Sequence, residues 1–71
     1  MNKKIMNGLP KGMQKVYVMA DKCCRVLMIK DGFTAKVAER MVLEALHEFE
    51  PELRLGNYSE VETALELRFV K

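Results

Sequence analysis

The chain has 71 residues, 49% of them hydrophobic and 31% charged, with a net charge of +2. This length holds one small domain near the lower limit of independent folding, with a core worth only a few kcal/mol, so oligomerisation is the expected reinforcement. There is no charged-then-apolar signal segment and no apolar run near the roughly 20 residues of a membrane span, so a cytoplasmic protein without membrane contact is expected.

The charge total conceals a polarity along the chain. Residues 1–36 carry eight basic side chains against Asp21 and Asp31, a net of +6, whereas residues 37–71 carry four against eight glutamates, a net of −4. Such a division marks a nucleic-acid-facing half, or lets two halves of a fold or two copies complement each other.

Residues 1–12 contain two glycines, a proline and three lysines without a sustained period, and are read as an irregular basic arm, with Ile5, Met6 and Leu9 able to pin part of it to the domain. From Lys15 to Lys30 two readings compete. Met13, Val16, Tyr17, Ala20, Cys24, Leu27 and Met28 form a helical stripe, yet Val16 to Ile29 is rich in Val, Ile, Tyr and Cys, which suit strands. The strand reading predicts a hairpin of Lys15–Ala20 and Cys23–Lys30 around Asp21-Lys22, a weaker turn signal than Asn-Gly. One face would then hold Val16, Val18, Ala20, Cys23, Leu27 and Ile29, and the other Tyr17, Met19, Cys24, Val26 and Met28. A single helix covers only one of these apolar faces, which leaves the second for contact with another molecule.

The segment Phe33 to Phe49 has the strongest period in the chain. Ala38, Met41, Val42, Ala45, Leu46 and Phe49 recur at the spacing of one stripe of an amphipathic helix. Asp31-Gly32 is a turn before it, Thr34 a candidate N-cap, and Pro51 closes it. Pro51 to Ser59 reads as a connection with a turn at Gly56-Asn57. In the last segment Val61, Thr63, Leu65, Leu67 and Phe69 alternate with Glu60, Glu62, Glu66 and Arg68, which predicts a half-buried strand. The competing helix, with Ser59 and Glu62 as a capping box, scatters Val61, Leu67, Phe69 and Val70 around its circumference. The predicted fold is therefore a small single α+β domain over residues 13–71 in the order ββαβ, with a mostly helical fold as the alternative.

Chemical signatures are sparse. The chain has one serine, Ser59, and one histidine, His47, with His47 on the side of its helix away from the apolar stripe, so no catalytic residues are assigned and an enzyme is not expected. Cys23 and Cys24 are neighbours; a disulfide between them is strained and closes almost no loop, and in a strand they point apart, so they are read as reduced core thiols with no metal site. The four glycines are too dispersed for a phosphate-cradling loop. No cofactor is implied, and the residues reproduce no family motif.

The resulting expectation is a small non-enzymatic binding or regulatory protein that works through protein contacts and self-associates as a homo-oligomer. Its contact residues would be Tyr17, Met19, Val26 and Met28 on the second sheet face and Leu43 on the otherwise polar side of the helix. The alternative is nucleic-acid binding through Lys3, Lys4, Lys11, Lys15, Lys22, Arg25 and Lys30 on a basic arm and ribbon. Against it stand one arginine in that set, Tyr17 as its one stacking aromatic, and no helix-turn-helix pattern.

Overall fold

The computed structural model describes residues 9–71, and every described element is helical. Calls on Lys3, Lys4, Ile5 and Met6 lie outside the described residues. In chain order the elements are α1 (Lys11–Lys30), α2 (Ala35–Glu48), α3 (Glu50–Arg54) and α4 (Tyr58–Leu65), the last continuing into a π-helical turn, Glu66–Val70. The ββαβ prediction is thus incorrect, and the mostly helical alternative holds.

Helix α1 replaces the hairpin. Val16, Met19, Ala20, Cys23 and Leu27 are buried along it, and their spacing of three and four residues makes a single stripe. Placing Val, Ile, Tyr and Cys in a helix costs only tenths of a kcal/mol each, whereas burying one Val or Leu side chain is worth about 1.5–3 kcal/mol. Packing therefore overrides the strand preference, and Asp21-Lys22 lies in mid-helix instead of at a turn. Gln14 steadies the entry by donating its side-chain amide to the Leu9 carbonyl at 2.9 Å.

At its far end the N–H groups of Asp31 and Phe33 both donate to the Leu27 carbonyl, at 3.3 and 3.2 Å. Gly32, at φ +73°, then reverses the chain in a conformation that side chains disfavour. The short loop makes α2 the antiparallel neighbour of α1. Thr34 caps α2 as the sequence indicates, its hydroxyl accepting from the Val37 N–H at 3.3 Å. Ala38, Val42, Ala45 and Leu46 are buried, with Met41 and Phe49 packed at the margin.

Pro51 sits in the first turn of α3 instead of in a loop, where its missing N–H costs nothing. Gly56, at φ +80°, supplies the next reversal. Tyr58 to Leu65 is helical rather than extended, with Asn57 preceding it and no side-chain capping bond, so the Ser59–Glu62 capping box is not formed. Val61 and Leu65 are buried one turn apart. Continued α-helix would carry Val70 about 180° from Val61. The wider π turn, closed by the Lys71 N–H to the Glu66 carbonyl at 2.9 Å, rotates it back, and Phe69 and Val70 both pack against the core.

The architecture follows from α1. Its 20 residues rise about 30 Å, nearly the longest dimension of the 33 × 25 × 17 Å domain. It packs against α2 on one side and against α4 and the π turn on the other, while the short α3 bridges α2 and α4.

Candidate interaction surfaces

Two faces of α1 carry the features with functional meaning: the seam it forms with α2 and the face it turns to solvent. The seam is an apolar channel interrupted by one side chain. Toward the α3 end a hollow of about 220 Å³ is lined by Met13 and Tyr17 of α1, Leu43 and Leu46 of α2 and Leu53 of α3, with His47 and Glu50 as its polar members. Toward the other end a second hollow of about 260 Å³ is lined by Ala20, Asp21 and Cys24 of α1 with Glu39, Val42 and Leu43 of α2. Leu43 borders both and is 55% exposed in mid-helix.

The expected contact residues therefore separate. Tyr17 and Leu43 come together on the seam. Met19 does not join them: helical geometry turns it into the core, where it is 8% exposed. Val26 is half-buried and lines neither hollow, and Met28 is exposed near the end of α1. Met13, Cys24, Leu46 and Leu53 complete the seam and were not expected there, although Met13, Tyr17 and Cys24 all belong to the helical stripe that the sequence offers.

The basic residues divide similarly. Lys11, Lys15, Lys22, Arg25 and Lys30 are all exposed on α1, and among the described residues no carboxylate lies within ion-pair distance of any of them. The ion pairs that do form lie elsewhere: Arg54 with Glu50, Arg68 with Glu48 between the π turn and the end of α2, and Lys71 with Glu66 at 2.9 Å. The Glu48 carboxylate raises the Arg68 guanidinium, and Lys71 lowers Glu66.

The polar groups considered for chemistry are dispersed. His47 is solvent-exposed, its Nδ1 4.0 Å from a Glu50 carboxylate oxygen, and Ser59 is exposed on α4. Among the described residues no three His, Cys, Asp or Glu side chains are grouped to hold a metal ion, and none of the described helices is long and apolar enough to cross a membrane.

Cys23 and Cys24 are free thiols about 100° apart on α1 rather than on opposite strand faces. Cys23 is fully buried and donates to the Leu65 carbonyl at 3.6 Å. Burial, reinforced by the adjacent Cys24, pushes its thiol from 9.0 to about 11. Burial also raises Cys24, with Glu39 and Asp21 contributing. Because the folded state holds the Cys23 proton more tightly than the unfolded chain, its contribution is fully present below about pH 9 and is lost as pH rises to about 11. Urea unfolding at stepped pH is expected to show an alkaline loss of about 2–3 kcal/mol beyond that of Cys23→Ala. Parallel curves for the two proteins would contradict the buried-thiol assignment.

Comparison with known protein families, curated proteins and solved structures gives no match to this chain.

Proposed function

We propose that the protein is a small non-enzymatic binding module that acts through protein contacts and pairs with a second copy of itself across the α1–α2 seam. The observation that carries this reading is Leu43, a more than half-exposed leucine between two apolar hollows in the middle of α2. Covering a leucine that is 55% exposed gains about half of the roughly 1.5–3 kcal/mol of complete burial, and a domain of this size benefits from the added burial.

Charge favours a second copy as the covering surface. Exposed Lys36 and Glu39 precede Leu43 on its side of α2, exposed His47 follows it there, and exposed Glu50 opens α3 just beyond. A two-fold axis through Leu43 sets the two α2 helices antiparallel, bringing Lys36 opposite Glu50, and Glu39 opposite His47, of the second copy. An isologous contact of this kind is self-complementary and closes at the dimer. The adjacent free cysteines, one buried, fit a reducing cytoplasmic setting.

Light scattering after size exclusion at micromolar concentration is expected to give the mass of a dimer, and Leu43→Glu that of a monomer. Burying an unpaired carboxylate at the centre of a contact weakens it at least about 30-fold. A monomeric wild type at millimolar concentration, or a dimer indifferent to Leu43→Glu, would overturn the proposal.

A further inference from the structure

Beyond the seam, the solvent face of α1 carries an arrangement that neither the core nor the proposed dimer uses. At 100° per residue, Lys11, Lys15, Val18, Lys22, Arg25 and Ile29 fall within a strip about 80° wide, and all six are exposed. The four cations span about 21 Å of helix. The single acid within α1, Asp21, lies toward the seam and lines its hollow. All eight glutamates lie on α2 and beyond. The strip itself is cationic, with Asp21 beside it toward the seam and Glu66 of the π turn within Coulombic range of Lys22, while most of the negative charge belongs to the other elements.

We infer that this face of α1 docks on the sugar-phosphate backbone of double-stranded nucleic acid, without reading its sequence. On each strand one phosphate falls every 3.4 Å of duplex axis, so a length of duplex equal to the strip holds about six phosphates per strand, more than the strip has cations. An exposed cation without an internal ion pair has no such pair to break on binding, and among the described residues none of these four has one. The acidic side repels phosphate, so only one orientation is favourable.

Single strands fit less well. They are held by aromatic stacking platforms, and the strip has no aromatic: Tyr17 faces the seam and Tyr58 packs against Gly12. The rigid planar forks of Arg, Asn and Gln suit bidentate base-edge readout best, and of these the strip offers only Arg25. Insertion into a lipid surface requires a continuous apolar face on the binding helix; that face of α1 is already in the core, and Val18 and Ile29 are the apolar residues left exposed within the strip.

The test is fluorescence anisotropy of a labelled 20-base-pair DNA duplex with the full chain, titrated from 50 to 200 mM salt. Four phosphate contacts give a slope of about −3.6 in log K against log salt, a weakening of about 150-fold over that range. Lys22→Gln with Arg25→Gln should halve the slope to about −1.8, or about 12-fold. Arg40→Gln with Arg68→Gln removes the same charge from α2 and the π turn and should leave the slope unchanged. All four residues are exposed, and circular dichroism verifies folding of each variant.

Equal losses from both pairs would reduce the effect to net charge and overturn the assignment. So would undetectable duplex binding at 50 mM salt, tighter binding of single strands, or preferential binding to vesicles containing anionic lipid. A salt-sensitive rise in mass without nucleic acid, abolished by Lys22→Gln with Arg25→Gln, would hand the strip to the acidic side of a second copy. The Leu43→Glu monomer should bind duplex with the same salt slope per chain, so failure of the dimer reading and failure of this one are distinguishable.

Discussion

Leu65→Ala is expected to destabilise the domain by about 2–5 kcal/mol, a large part of the roughly 4–10 kcal/mol a chain of this length possesses. Leu65 is fully buried, and its carbonyl receives the Cys23 thiol where α4 meets α1. Truncation leaves a cavity at the centre of the most extensive helix–helix contact in the domain. Leu67→Ala, two residues away, is expected to change stability by no more than about 0.5 kcal/mol, because Leu67 is 62% exposed. The pair tests the helix itself. In a strand residues 65 and 67 share a face and respond alike; in the helix they point to different environments. Urea midpoints for both variants measure the contrast, and equal shifts would contradict the assignment of the C-terminal segment.

Why the sequence misleads at that segment is a matter of commensurate spacing. Val61, Leu65 and Phe69 are separated by four, a step that keeps residues on one side of a helix and also on one face of a strand. Only the residues between them discriminate. Thr63 and Leu67 complete the strand alternation, and both are exposed. Val70 argues against a regular helix, and the π turn removes that objection by widening the last turn.

Helix α1 is obscured differently. Its apolar residues serve three environments: the core through Val16, Met19, Ala20, Cys23 and Leu27, the seam through Tyr17 and Cys24, and solvent through Val18 and Ile29. Summed over the segment these blur the helical period and imitate a strand with two apolar faces. Helix α2 is legible because its apolar residues, Leu43 and Val37 apart, lie on one stripe and Thr34 marks its start.

The interaction surfaces inherit the same logic. Leu43 could be identified from sequence because it breaks the polar side of a well-defined helix. Tyr17 was selected as part of a sheet face and belongs instead to a seam between helices, whereas Met19, selected on the same ground, is in the core. The cations of α1 were visible as a composition. Their alignment was not, because the hairpin reading puts Lys15 and Arg25 on opposite faces, Lys22 in the turn and Lys11 in the arm, and only a helical period gathers Lys11, Lys15, Lys22 and Arg25 on one side.

Gly12→Ala should change the sign of its effect according to what stands at position 58. Glycine near the start of a helix costs up to about 1 kcal/mol relative to alanine, so the substitution would stabilise an isolated α1. In the folded domain a Cβ at Gly12 would lie 2.4 Å from Cδ2 of Tyr58 and 2.9 Å from its Cβ and Cγ. Cβ of Tyr58 is fixed by the backbone of α4, so a change of rotamer that carried Cγ and the ring away would still leave the 2.9 Å contact with Cβ; the start of α4 must move away from α1. Forced displacement of packed elements costs about 1–3 kcal/mol, which exceeds the propensity gain.

Gly12→Ala is therefore expected to be destabilising in the wild type, and Gly12→Val more so because its branched side chain adds bulk at the same point. In a Tyr58→Gly background both the obstructing ring and its Cβ are gone, and Gly12→Ala should stabilise by about 0.5–1 kcal/mol. A double-mutant cycle of unfolding free energies measures the coupling. Stabilisation by Gly12→Ala in both backgrounds would show that α1 and α4 do not approach this closely, and with it would fall the packing that turns Lys11, the neighbour of Gly12, outward at the head of the cationic strip.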